Sequence, residues 1–326
     1  VAVCAAVGAG LWVFSRATVD VDAQLAAIDA AHAVPPGENT ADDWGALVRD
    51  TGMPQPDSQS LPPEVLTLTM SRPWRNDDQP QAAKWLQDKQ TVMNAILRIA
   101  DKPKCWFPVS DVNRPEQDYF SMELQGTILM MQAVNNDLGE DRLESALEKL
   151  FAVLRIASQL SSQTHGAEYL AGRSIGDMVT ERTIWVVANY HVPDSWLAKF
   201  EAEMTAIDDA SGERLREYSK ITSLSMRRND HDGSRLVQTL IGPLPGRADA
   251  GLPGSQGMLG RLRGCRIMLA LRRHKNATGV WPQSLSEIQA GLPSKALVDP
   301  LSKRPFCLST RSRLLRSLWR RIERHR

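Results

Sequence analysis

The sequence predicts an all-α fold: a helical bundle or array after an N-terminal transmembrane helix, with a small helix-plus-turn module near the C-terminus. Three observations predict it. Leu, Ala, Glu and Arg dominate the composition, and all favour helix. No segment is rich enough in Val, Ile and Tyr to suggest a run of strands. Apolar residues recur at spacings of three and four through the middle of the chain, which places them on one helical face. The 326 residues are 42% apolar and 24% charged, a balance typical of a folded body and long enough for one large or two modest domains.

The elements follow in order. Val1 to Phe14 carries no charge and ends in Leu11-Trp12-Val13-Phe14-Ser15-Arg16. A spanning helix needs about 20 apolar residues, so a chain that begins at Val1 reads as a truncated anchor over residues 1–16, with a cleaved signal peptide as the alternative. Trp12 suits the headgroup boundary and Arg16 marks the end of the span. The segment after it is acidic, through Asp20, Asp22 and Asp29, which favours a periplasmic body.

A helical body is expected over residues 17–241. Val19 to Ala33 is Ala-rich and stops at Pro35-Pro36-Gly37. Thr40 is placed to N-cap the next helix, and four prolines make 52–63 a loop. Gln79 to Ala100 reads as one helix with Leu86, Met93, Ile96, Leu97 and Ala100 on a face. Phe120, Leu124, Ile128, Met131 and Val134 form one stripe, and Leu143, Leu147, Leu150, Leu154, Ala157 and Leu160 form another. Gly139 breaks the chain between them, so the two helices are expected to pack antiparallel. A helix from Gly166 to Tyr190 ends at Pro193, a further one runs from Ser195 to Ile207, and a charged one covers 211–228.

Residues 242–257 hold five Gly and three Pro and read as a linker. A compact module over 258–306 starts with a helix containing Leu262, Ile267, Leu269 and Leu271, followed by a short helix N-capped by Ser284. Residues 307–326 form an Arg-rich tail.

Charge is unevenly shared. The whole chain has 39 Lys plus Arg against 38 Asp plus Glu, yet residues 301–326 hold nine bases and one acid, Glu323, which leaves residues 1–300 at net −7. As a helix the tail sets Leu314, Leu315, Leu318, Trp319 and Ile322 against Arg311, Arg313, Arg316, Arg320, Arg321 and Arg324. That is the pattern of a helix lying on an anionic membrane. Nucleic-acid binding is the weaker alternative. The abrupt shift to Arg near Cys307 fits an out-of-frame translation equally well.

Little in the sequence carries chemistry. Gly172-Arg173-Ser174-Ile175-Gly176 matches the spacing of a hydrolase nucleophile elbow, but that motif needs a strand before the serine. Here the flanks read as one helix, and two glycines four apart allow close helix packing. Asn229-Asp230-His231-Asp232 concentrates metal-capable side chains without the spacing of a calcium loop, and the remaining histidines form no motif. Cys4, Cys105, Cys265 and Cys307 include no Cys-x-x-Cys pair; a Cys105–Cys265 disulfide is open only outside the cytoplasm. No phosphate-binding loop, dinucleotide fingerprint or His-Glu-x-x-His is present. No catalytic, cofactor-binding or metal residue is therefore assigned, and no cofactor is expected.

Two stretches resemble known proteins. The helix around Phe120–Asn135, then Leu143-Glu144-Ser145-Ala146-Leu147-Glu148-Lys149-Leu150-Phe151, then the helices around Ile175–Ile184 and Leu197–Ile207, resemble uncharacterised membrane-anchored helical proteins common in planctomycete bacteria. Gly279-Val280-Trp281-Pro282, Leu292-Pro293 and Asp299-Pro300-Leu301-Ser302-Lys303-Arg304-Pro305-Phe306 are similar to the C-terminal part of type II secretion pseudopilins. A glycine usual in that pattern is replaced around Lys303-Arg304, and the methylation motif of pseudopilins is not visible. The resemblance implies a bacterial envelope location and supplies no catalytic residues. The expectation is a non-enzymatic scaffold or assembly protein at the cell envelope. A hydrolase using Ser174 or a metal at 229–232, and a binder acting through the tail, are the alternatives.

Overall fold

The computed structural model describes residues 21–35, 37–51, 61–110, 116–163, 166–231 and 253–306. The fold is all-α. We number the helices α1 (21–31), α2 (Thr40–Thr51), α3 (Pro63–Ser71), α4 (Pro80–Asp88), α5 (Gln90–Asp101), α6 (Glu116–Gly139), α7 (Leu143–Ser161), α8 (Gly166–Asn189), α9 (Asp194–His231) and α10 (Pro253–Thr278). Three short 3₁₀ turns follow α10. Among the described residues there is no strand, only isolated bridges between Asn39 and Lys104 and between Val298 and Pro305. No described helix is long and apolar enough to cross a membrane. The apolar run 1–14 and the tail 307–326 lie outside the described residues.

The chain divides into two compact units: residues 1–173 with 211–250, and residues 174–210 with 251–326. The first is built on the α6–α7 hairpin, with α3 and α5 packed against it and α2 against α5. Of the stripe expected on α7, Leu147, Leu150, Leu154, Ala157 and Leu160 are buried, and Leu143 at its start is half-buried. The turn that closes the hairpin depends on Gly139. A Cβ there would overlap the Trp74 carbonyl and lie within 2.8 Å of the Trp74 nitrogen, so only glycine lets the backbones approach this closely. Asp141 follows with φ +58°, a left-handed position that Asp tolerates better than most residues. Helix α7 then starts at Leu143, with Arg142 before it and no side-chain cap.

Asp137, almost fully buried, ties the hairpin together. Its carboxylate accepts hydrogen bonds from Arg142 Nε at 2.8 Å, Ser145 Oγ at 2.7 Å and Lys149 Nζ at 2.6 Å. Two residues earlier, Asn135 Nδ2 donates to the Thr69 and Met70 carbonyls at 2.7 and 3.0 Å. Helix ends leave unpaired carbonyls, and here a buried side chain satisfies two of those at the end of α3. That helix has no apolar periodicity of its own, so tertiary hydrogen bonds complete what its sequence lacks.

Three elements differ from the sequence reading. Gln79–Ala100 is two helices, separated at Lys89, whose N–H reaches back to the Trp85 and Leu86 carbonyls. The second helix buries Val92, Met93, Ile96, Ile99 and Ala100 and leaves Leu97 half-buried. Residues 195–207 and 211–228 belong to a single helix, α9, of 38 residues and about 57 Å. No proline interrupts it, and Gly212 costs a helix interior only about 1 kcal/mol. Helix α10 begins at Pro253, inside the stretch whose composition suggests a linker; proline is well suited to a first helical position.

In the second unit, Ile267, Ala270, Leu271, Ile288 and Leu292 form a core, with Trp281, Leu285, Leu297 and Phe306 packed on it. Ser284 takes the N-cap position expected of it, and Glu287 pairs with it in a capping box.

The close approach at Gly139 makes a measurable prediction. Gly139→Ala should lose about 1–3 kcal/mol through overpacking. Gly264→Ala, on α10 where a Cβ would meet nothing within 4 Å, should gain up to about 1 kcal/mol. Urea denaturation of the two variants should therefore shift in opposite directions.

Candidate functional site

Ser174 lies exposed on α8, within an uninterrupted helix from Gly166 to Asn189. No strand–turn–helix surrounds it, so the geometry of a nucleophile elbow is not formed. Gly172 has another role: a Cβ there would overlap the Ser161 backbone nitrogen and sit 2.7 Å from the Leu160 carbonyl carbon, so it sets the close packing of α8 on the end of α7. Asn229, Asp230 and His231 form the last turn of α9, and Asp232 lies outside the described residues. Among the described residues no group of three or more His, Cys, Asp and Glu could hold a metal ion. Cys105 and Cys265 are both free thiols. Cys265 is fully buried, and burial, reinforced by the charge of Glu201, pushes its thiol well above the ordinary range. It is inert as a nucleophile, since the thiolate is the reactive form.

Two polar constellations stand out instead. In the first unit, α1, the 106–110 loop and α9 meet around Asp29. Its carboxylate accepts from Trp106 Nε1 at 3.0 Å, from the N–H of Val109 at 2.7 Å and of Ser110 at 2.9 Å, and from the Ser110 hydroxyl. Burial alone would raise this carboxyl. The Ser110 hydroxyl and the two backbone N–H groups outweigh it and hold Asp29 below the ordinary carboxylate value. The Trp106 indole stacks on the His32 imidazole, with centroids 4.1 Å apart and planes 10° from parallel. His32 Nε2 lies 2.6 Å from Glu217 Oε1. Val21, Leu25, Ile28, Val109, Ile221 and Leu224 form the apolar floor.

This places a serine, a histidine and two carboxylates near one another, but not in a catalytic order. A serine nucleophile must give its proton to the imidazole. Here Ser110 gives it to Asp29, and the imidazole faces Glu217. The arrangement anchors a loop and joins α1 to α9. Sequence spacing could not have found it, because His32 and Glu217 are 185 positions apart.

In the second unit, α9, α10 and the third 3₁₀ turn (Ser294–Leu297) meet around Asp208. Arg263 donates to Asp208 Oδ1 through Nε at 3.2 Å and Nη2 at 3.0 Å, and to the Val298 carbonyl through Nη1 at 3.0 Å. Arg266 reaches Asp208 Oδ2 through Nη1 at 3.1 Å and Glu201 Oε1 through Nε at 2.9 Å. The side chains of Asp208 and Arg266 are both 0% exposed. Lys295 pairs with Asp209, which lowers that carboxyl, chiefly through the hydrogen bond. Three bases meet three acids, so the cluster is close to neutral and offers no net field to an ionic ligand.

Further along α10, Arg272 donates to the Val187 and Ala188 carbonyls at 2.6 and 2.8 Å and satisfies the end of α8. It also lies 4.6 Å from the Trp281 ring centroid, as does Lys275 Nζ. Comparison of the chain with protein-family models, with curated proteins and with solved structures returns no match.

The Asp29 joint sets a pH dependence. Its carboxyl is lower when folded than when unfolded, so its contribution is present above the unfolded value, about 3.8, and is lost as pH falls through the folded value. The stability gap between the wild type and Asp29→Asn, read from urea midpoints, should be widest near neutrality and should close as pH drops below about 4.

Proposed function

We propose that this chain is a membrane-anchored helical protein of the bacterial cell envelope. Its body faces the periplasm, and its role is that of a scaffold or assembly component rather than an enzyme. The observation that carries the reading is how the polar side chains are used. Asp29 anchors a loop, Asp137 closes a hairpin, Asp208 joins three elements, and Asn135 and Arg272 satisfy helix ends. Each of these groups holds helices or loops together, which fits a protein that presents surfaces. The apolar run of residues 1–14 and the mildly acidic body support the anchor and its orientation. The resemblance to membrane-anchored planctomycete proteins and to the end of pseudopilins points to the same location.

Two measurements test this. Alkaline carbonate extraction of membranes from an expressing bacterium should leave the chain in the pellet, and removal of residues 1–16 should release it. Full extraction of the intact chain would contradict the anchor. The purified chain, offered ester, phosphomonoester and peptide substrates, should give no turnover that Ser174→Ala removes; turnover lost in that variant would overturn the non-enzymatic reading.

A further inference from the structure

His32 stands where three elements meet. Its N–H donates to the Ile28 carbonyl at 3.1 Å, so the residue sits at the carbonyl end of α1. Its imidazole stacks on Trp106, and its Nε2 lies 2.6 Å from Glu217 Oε1 on α9. Behind the stack, Trp106 Nε1 donates to the Asp29 carboxylate at 3.0 Å. The side chains of His32 and Glu217 are 37% and 30% exposed, so protons reach the pair from solvent without any opening of the unit.

The charges of this joint come from two helices. Helix α1 supplies Asp29 and α9 supplies Glu217. The 106–110 loop and residues 33–35 contain no titratable side chain. Of the neighbouring charged side chains that are described, Asp22 on α1 and Glu213, Arg216 and Lys220 on α9 are exposed. Histidine is the side chain whose charge ordinarily changes between about pH 5 and 8. When this imidazole takes up its second proton, three contacts change in the same sense. The bond to Glu217 gains a full charge on its donor and becomes an ion pair. The ring becomes a cation on the face of Trp106. It also places that cation at the carbonyl end of a helix. The first two contacts exist only while α1 stays docked against α9 and the loop, so proton uptake and docking favour one another.

We propose that the His32–Glu217 contact is a proton-operated latch between α1 and α9, closed in mildly acidic solution and loosened as the pH rises. The apolar floor of Val21, Leu25, Ile28, Ile221 and Leu224 holds the two helices together in both states. The latch therefore sets how often α1 opens and not whether the unit folds. Its contribution is full while the imidazole carries both protons and is lost as the pH rises and one proton leaves. That sense is opposite to the Asp29 carboxylate, whose contribution is lost in acid. Asp29, held below the ordinary carboxylate value, keeps its charge across the window in which the latch works. The latch goes beyond the envelope reading and depends on neither the anchor nor a partner.

The test is hydrogen–deuterium exchange on the full chain at about pH 5.5 and about pH 8, either side of the histidine range. Labelling times are scaled for intrinsic exchange rates, and the readout is the peptide that covers residues 21–32. A peptide from α7, residues 147–158, reports the stability of the same unit and serves as the reference. Relative to it, residues 21–32 should open about three- to tenfold more often at the higher pH, the worth of one part-exposed ion pair with a cation–π contact. His32→Gln should abolish this difference, and Glu217→Gln should weaken it. Far-UV circular dichroism checks that the variants keep their helix content, and the wild-type comparison stands without them. Equal opening at the two pH values in the wild type, more frequent opening at the lower pH, or a response that persists unchanged in either variant would each overturn the proposal.

Discussion

Asp208 is the constraint on which the second unit depends. An ionised carboxylate with no exposed surface is costly, and its attraction to a cation repays that cost only when geometry and hydrogen bonding are good. Here Arg263 takes one oxygen with two N–H groups, and Arg266 takes the other while also holding Glu201. The pairing is not complete, because Arg266 Nη2 is buried without an acceptor. A buried network of this kind is weak evidence for stability and better evidence for register. Only one placement of α10 along α9 satisfies Asp208, Glu201 and the Val298 carbonyl together.

The same logic extends across the sequence. Residues 174–210 carry seven acids and two bases, whereas residues 253–306 carry two acids and nine bases. The two segments of this unit are therefore opposite in charge before any contact is considered. The buried core of Ile267, Leu271, Ile288 and Leu292 supplies non-directional attraction. The charges select the alignment, and Arg272 and Asn276 extend it to the end of α8 and the start of α9.

How much of this was legible in the sequence depends on distance along the chain. The α6–α7 hairpin was legible in outline, because the α7 stripe and the Gly139 break are local; the α6 stripe was not, since Leu124 and Ile128 are half-buried while Leu129 and Met130 are buried. The Ser284 cap was legible too. The break at Lys89 was not, because no proline or glycine marks it and the apolar spacing continues nearly in phase across it. The continuity of α9 was missed because the polar stretch Asp208-Asp209-Ala210-Ser211-Gly212 reads as a helix end, while its first aspartate is in fact buried against Arg266. Charged residues on helices normally belong to solvated faces, so Asp208 and Arg266 gave no local signal. The Asp29–Trp106–His32–Glu217 joint was hidden for the same reason: its members come from three separate stretches and share no periodicity.

Native-state hydrogen exchange along α10 tests the central role of Asp208 most directly. In the wild type, amides of residues 262–270 should exchange with the same opening free energy as those of 197–207, since the clamp makes the two helices one cooperative element. In Asp208→Asn both sets should fall together by about 3–5 kcal/mol, the usual consequence of stranding a buried cation. Amides of α10 that keep their wild-type protection in that variant would contradict the account.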